Sequence, residues 1–90
     1  MEKLNISHIL VAQGFEADDV LRKLKEGVSF EDLAAKFSTC PSGKSGGSLG
    51  DIELRRLDST FAEAARKLSV GALSGPVKTR FGYHIIRRNA

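Results

Sequence analysis

Two histidines and one cysteine are the side chains on which this 90-residue chain could build chemistry. His8 lies in NISHILVA and His84 in TRFGYHIIRR, both apolar runs rich in β-branched residues. A histidine buried in such a run needs a partner for each ring nitrogen. If the first and last strands are neighbours in one sheet, the two imidazoles meet on one face, one nitrogen donating and the other accepting. Thr79, five residues before His84, offers a hydroxyl to a remaining ring nitrogen. Such a network fixes tautomers and positions without requiring charge. The competing reading is two unrelated core histidines.

Cys40 beside a histidine suggests a thiol protease, but covalent catalysis also needs an orienting third group and an oxyanion hole, and no motif supplies them. Cys40 reads as standing at the end of a helix, and a helix C-terminus disfavours the thiolate a nucleophile requires. Zinc binding by His8, Cys40 and His84 lacks the close ligand spacing of metal sites, so no metal is expected. GKS at 43–45 invites a phosphate-loop reading. That motif needs a glycine at position 38, where Ser38 stands, and it must follow a strand rather than a helix.

The elements that position these residues follow from periodicity. Residues 6–12 read as a strand, with Gln13-Gly14 as its turn. Ala17, Val20, Leu21 and Leu24 share one face of a helix opened by acids at 16, 18 and 19, closed by bases at 22, 23 and 25, and ended by Gly27. Ser29 caps a second helix with Asp32 at its third position and a buried stripe of Phe30, Leu33, Ala34 and Phe37. Pro41 stops it. Glycines at 43, 46, 47 and 50 mark a loop, and residues 51–54 a short strand. A third helix begins near Asp58, Ser59 or Thr60, turns Phe61, Ala64, Ala65 and Leu68 to one side, and ends at Gly71. Two strands joined around Arg80 to Gly82 complete the order β α α β α β β.

Composition narrows the class. Hydrophobic residues at 41% and charged residues at 28% are ordinary globular values. One domain over 1–90 is expected, without a transmembrane span or signal peptide. A single cysteine allows no internal disulfide and fits a reducing, cytoplasmic setting. The net charge of +3 is mild, and bases alternate with acids along most of the chain. A nucleic-acid surface of Arg55, Arg56, Lys78, Arg80, Arg87 and Arg88 would lack any recognition motif.

Three blocks, SHILV, FEDLAAKFSTCPSGKSGGSLGD and GPVKTRFGYHIIRR, resemble in order and spacing the signatures of the parvulin (PpiC-type) peptidyl-prolyl cis/trans isomerases. The resemblance implies an α+β fold: a four-stranded antiparallel sheet surrounded by helices, β-α3-β-α-β2, its third helix a short turn near residues 41–45. It implies His8, Cys40, His84 and Thr79 as catalytic positions and Leu57, Phe61 and Phe81 as walls of a proline pocket. Leu57 replaces a usual methionine, a nearly volume-conserving exchange. No cofactor is implied. The implied partners are proline-containing peptides and unfolded proteins, met by a monomer, with neither nucleic acid nor membrane. A non-catalytic peptide-binding or chaperone module of the same fold is the alternative. Two departures stand out. ELRRL at 53–57 adds positive charge at the rim, and AQGFEADD after the first strand is short and acidic where phosphate-selective relatives carry a long basic insertion.

Overall fold

The computed structural model describes residues 2–90. Its chain order is β1 (Lys3–Val11), α1 (Gly14–Lys25), α2 (Phe30–Phe37), a 3-10 turn over Pro41–Ser45, β2 (Ser48–Glu53), a second 3-10 turn over Leu54–Arg56, α3 (Ser59–Arg66), β3 (Val77–Thr79) and β4 (Gly82–Arg88). The four strands form one antiparallel sheet in the order β2-β1-β4-β3. The first and last long strands are therefore central neighbours.

Strand alternation divides the chain between two layers. Ile9 and Val11 of β1 and Ile85 of β4 pack against Ala17, Val20, Phe30, Leu33 and Ala34 of α1 and α2. Leu4, Ile6 and Ile86, on the opposite face, pack against Leu54 and against Phe61, Ala62 and Ala65 of α3. His8 and His84 share the parity of Ile6 and Ile86, which puts both imidazoles on the α3 side.

α2 and α3 start where the sequence places them, whereas α1 starts at Gly14 rather than Glu16, with Gln13 as its cap instead of part of a turn, and β1 starts at Lys3 rather than residue 6. Each helix has a cap. Glu16 returns its carboxylate to the Gln13 N–H at 3.0 Å. Ser29 Oγ accepts the Asp32 N–H at 3.1 Å. Among the three candidates for α3, Asp58 is the cap, accepting from the N–H groups of Thr60 and Phe61 at 2.9 and 3.2 Å. Residues 41–45, a loop by residue pattern, form the short helical turn that the family resemblance implies, with Pro41 leading it.

Three further expectations need correction. β2 begins at Ser48 rather than 51 and yields Leu54 to a 3-10 turn. It pairs through a bulge in which Ile6 faces Gly50 and Ser7 faces Ser48, leaving Leu49 as the extra residue. α3 stops at Arg66 rather than running to Gly71: the Leu68 N–H turns to the Ala65 carbonyl at 3.2 Å, an i to i−3 bond that closes the helix, and the Leu68 carbonyl beyond it accepts from the Arg88 guanidinium at 2.9 Å. Phe37 is 41% exposed rather than buried: α2 ends there, and the ring lies under the Lys23 ammonium.

Candidate active site

The sheet register sets the site. His8 faces Ile86 and Leu10 faces His84, so the two histidines are diagonal neighbours across β1 and β4. Their rings stack 5.2 Å apart with Nδ1 of one 3.0 Å from Nδ1 of the other. The two-residue turn Arg80-Phe81 brings Thr79 beside His84, with Oγ1 2.7 Å from Nε2. Phe61, from α3, meets both rings edge-on at 5.4 and 5.0 Å. His8, His84, Thr79 and Phe61 are all buried.

The hydrogen-bond directions follow from counting protons. The Phe81 N–H donates to Thr79 Oγ1 at 3.2 Å, which leaves that oxygen a lone pair and its own proton. The hydroxyl's acceptor is His84 Nε2; His84 Nδ1 then carries the ring proton and donates to His8 Nδ1. The reverse assignment strands the hydroxyl proton. The chain of donors ends at His8 Nε2–H, which has no protein partner among the described residues.

The histidine pair floors a cavity of about 310 Å³. Cys40, Leu57, Phe61 and Phe81 line it with the two rings, as do Leu10, Leu49, Ile52, Arg56 and Asp58. Of the seven residues singled out from sequence, only Thr79 lies behind the wall, bonded to His84. Cys40 is not at the end of α2: Ser38 and Thr39 intervene, and it caps the 3-10 turn, its sulfur accepting the Ser42 hydroxyl at 3.2 Å. Phe81 is 58% exposed, with the Arg80 guanidinium 4.9 Å from its ring centre. Among the described residues no three His, Cys, Asp or Glu side chains gather as a metal-binding set.

A family model described as "Rotamase: PPIC-type PPIASE domain" matches residues 8–90. The chain belongs to the PpiC-type, or parvulin, peptidyl-prolyl isomerase family. The foldase protein PrsA of Bacillus subtilis (strain 168) is 49% identical over 87 residues, covering 96% of this chain and 30% of that protein. The crystal structure of PrsA from Bacillus subtilis superposes with a TM-score of 0.95 at 48% identity, over 98% of this chain and 35% of that one. The solution structure of NmPin, the parvulin of Nitrosopumilus maritimus, has a TM-score of 0.88 at 42% identity and is covered to 98% by all of this chain. The chain thus spans about 30% of the curated foldases it resembles and nearly the whole of a small parvulin.

Both histidines of this parvulin domain are held neutral. Burial, and then the neighbouring His84, lowers the His8 pKa from 6.5 to about 4. Burial also lowers His84, against a weaker upward pull from Asp58. Geometry agrees: a second proton on His8 Nδ1 would set two N–H groups against each other at 3.0 Å. Unfolded histidines titrate near 6.5, so between about pH 6.5 and 4 the unfolded chain binds more protons than the folded one. Stability is therefore expected to fall as the solution is acidified, by about 2 kcal/mol at pH 5 and roughly 3 kcal/mol once His8 itself titrates. Urea midpoints at pH 7.5, 6 and 5 measure this; a flat profile would mean that the rings are solvated or charged.

Proposed function

We propose that this domain catalyses cis/trans rotation about the peptide bond preceding proline, without a covalent intermediate and without requiring phosphorylation of the substrate. One observation carries the reading: a largely apolar cavity of about 310 Å³, roomy enough to admit a proline ring, whose floor is a buried, neutral histidine pair. Amide resonance sets the rotation barrier at roughly 18–20 kcal/mol, and a planar amide is more charge-separated than a twisted one. Leu57, Phe61 and Phe81 hold the pyrrolidine ring and disfavour the planar, polar state by desolvation. The histidines, tied through Thr79 to the β3–β4 turn, and Cys40 act as preorganised polar groups around the rotating carbonyl. No bond is made or broken.

The connection between β1 and α1 is only Ala12-Gln13, and the first turns of α1 carry Glu16, Asp18 and Asp19, so this segment offers no basic cluster for a phosphate. Substrates on this reading are proline-containing peptides and unfolded segments, engaged by a monomer; the interleaving of bases with acids along the chain argues against a nucleic-acid partner. A cytoplasmic setting rests on the lone Cys40, and fractionation of the producing cells tests it.

Exchange measured by NMR on a short Ala-Pro peptide separates turning from mere holding. A peptide that binds with no acceleration of exchange marks a binding module. Cys40→Ser and Cys40→Asp are both expected to keep turnover within about tenfold of the parent, since each retains an acceptor for Ser42. Loss of all turnover in both variants, with folding intact, would establish a required thiolate.

A further inference from the structure

We propose that a second hollow beside the proline pocket is a subsite for the substrate chain itself, taking an uncharged aliphatic residue a few positions from the proline. This deepens the isomerase reading and rests on it.

Leu57 lines both cavities and forms the ridge between them. On either side of that ridge, neighbouring residues point opposite ways. Arg56, Asp58 and Phe61 line the proline pocket, while Arg55, Ser59 and Ala62 line a hollow of about 340 Å³. A peptide whose proline ring sits against Leu57 needs only to pass that one side chain before its next residues reach this hollow, at about 3.3–3.6 Å of chain per residue. The volume lies at the lower end of the roughly 300–1,000 Å³ typical of ligand sites, enough for a side chain rather than a second peptide.

The chemistry of the occupant follows from charge accounting. Leu57 supplies most of the apolar surface, and the buried Leu54 and Ala62 close the wall with it. Every charged group on the wall is already paired: Arg66 with Glu2 at 2.9 Å and with Glu63 at 2.8 Å, and Arg55 with Glu53 at 2.8 Å. These pairs are largely solvent-exposed, so a charged substrate residue must compete with an existing partner for a counter-ion in water and gains little. An aliphatic residue needs no counter-ion. Its main-chain groups meet Ser59 and the ion pairs at the rim.

The test uses a blocked four-residue Ala-Pro peptide and versions lengthened by three residues on the amino or the carboxyl side, with Leu, Asp or Lys in the added segment. The leucine-bearing version on one side is expected to raise kcat/KM about tenfold over the short peptide. The Asp and Lys versions should gain less than twofold. In amide spectra the long leucine peptide should shift Ser59, Ala62 and Glu63, which the short one leaves in place. Ser59→Trp, which walls up the hollow from the start of α3, should bring the long-to-short ratio below two. Equal rates and equal footprints for short and long peptides overturn the subsite, as does an equal gain from charged extensions. If the short peptide binds but is not turned over, the isomerase reading fails, and the same amide shifts and the dissociation constants still decide the subsite.

Discussion

Phe61→Ala is expected to cost about 4 kcal/mol of stability and to abolish proline-peptide turnover. The ring is 3% exposed and belongs to the α3-side core with Ile6, Leu54 and Ile86. It also stands at right angles to both imidazoles, and it lines the proline pocket. Truncation therefore opens a cavity where the histidine pair, α3 and the substrate ring all meet. A chain of this size has a total stability of only about 5–13 kcal/mol, so the alanine variant sits near the edge of folding. Phe61→Leu separates the effects. It keeps most of the apolar volume and removes the edge-on contacts, worth roughly 0.5–1.5 kcal/mol each. We expect it to fold, to lose 1–2 kcal/mol by urea denaturation, and to lose at least about tenfold in kcat/KM. A Phe61→Leu domain with parent turnover would show that the ring serves the core alone.

The parts of this site that could be read from sequence are those whose residue type conflicts with its surroundings. A histidine in an apolar strand is such a conflict, and both lie in the two central strands, bonded to one another and, through His84 alone, to Thr79. Helix starts were legible for the same reason: Ser29 and Asp58 stand where a side-chain oxygen meets free N–H groups. Leu10, Leu49 and Ile52 were not. An apolar residue on a strand looks the same whether it faces a core or a substrate, and only the folded cavity shows which of them stay open. Arg56 was visible as charge at the rim, but its place on the pocket wall depends on the 3-10 turn that ends β2. The start of β2 was hidden because a glycine-rich run has no alternation to betray a strand, and its bulge breaks the period further.

That glycine run holds the second large effect. Gly47 has φ +86°, and its carbonyl accepts the His8 N–H at 2.9 Å. A Cβ built there would lie 2.6 Å from the His8 carbonyl oxygen and 3.1 Å from both Phe30 and Ala34. None of these is the free end of a flexible chain: one is the backbone of β1 and the others belong to the α2 core. Gly47→Ala thus combines a left-handed backbone, costing roughly 1–2 kcal/mol for a residue with a Cβ, with overpacking of about 1–3 kcal/mol. We expect a loss of about 4 kcal/mol. Gly50, on the same strand pair, is the control. Its φ of +66° is equally left-handed, but a Cβ there meets nothing within 4 Å. Gly50→Ala should therefore show the conformational cost alone, about 1–2 kcal/mol. The difference between the two variants isolates the close approach of the loop to His8. Relief of the clash pushes β1 away at the residue that carries the imidazole, so Gly47→Ala should also lower kcat/KM in whatever fraction remains folded, and Gly50→Ala should not. Equal stability losses in the two variants would show that the loop can move off His8 freely, and that the histidine is positioned by β4 and Phe61 without help from Gly47.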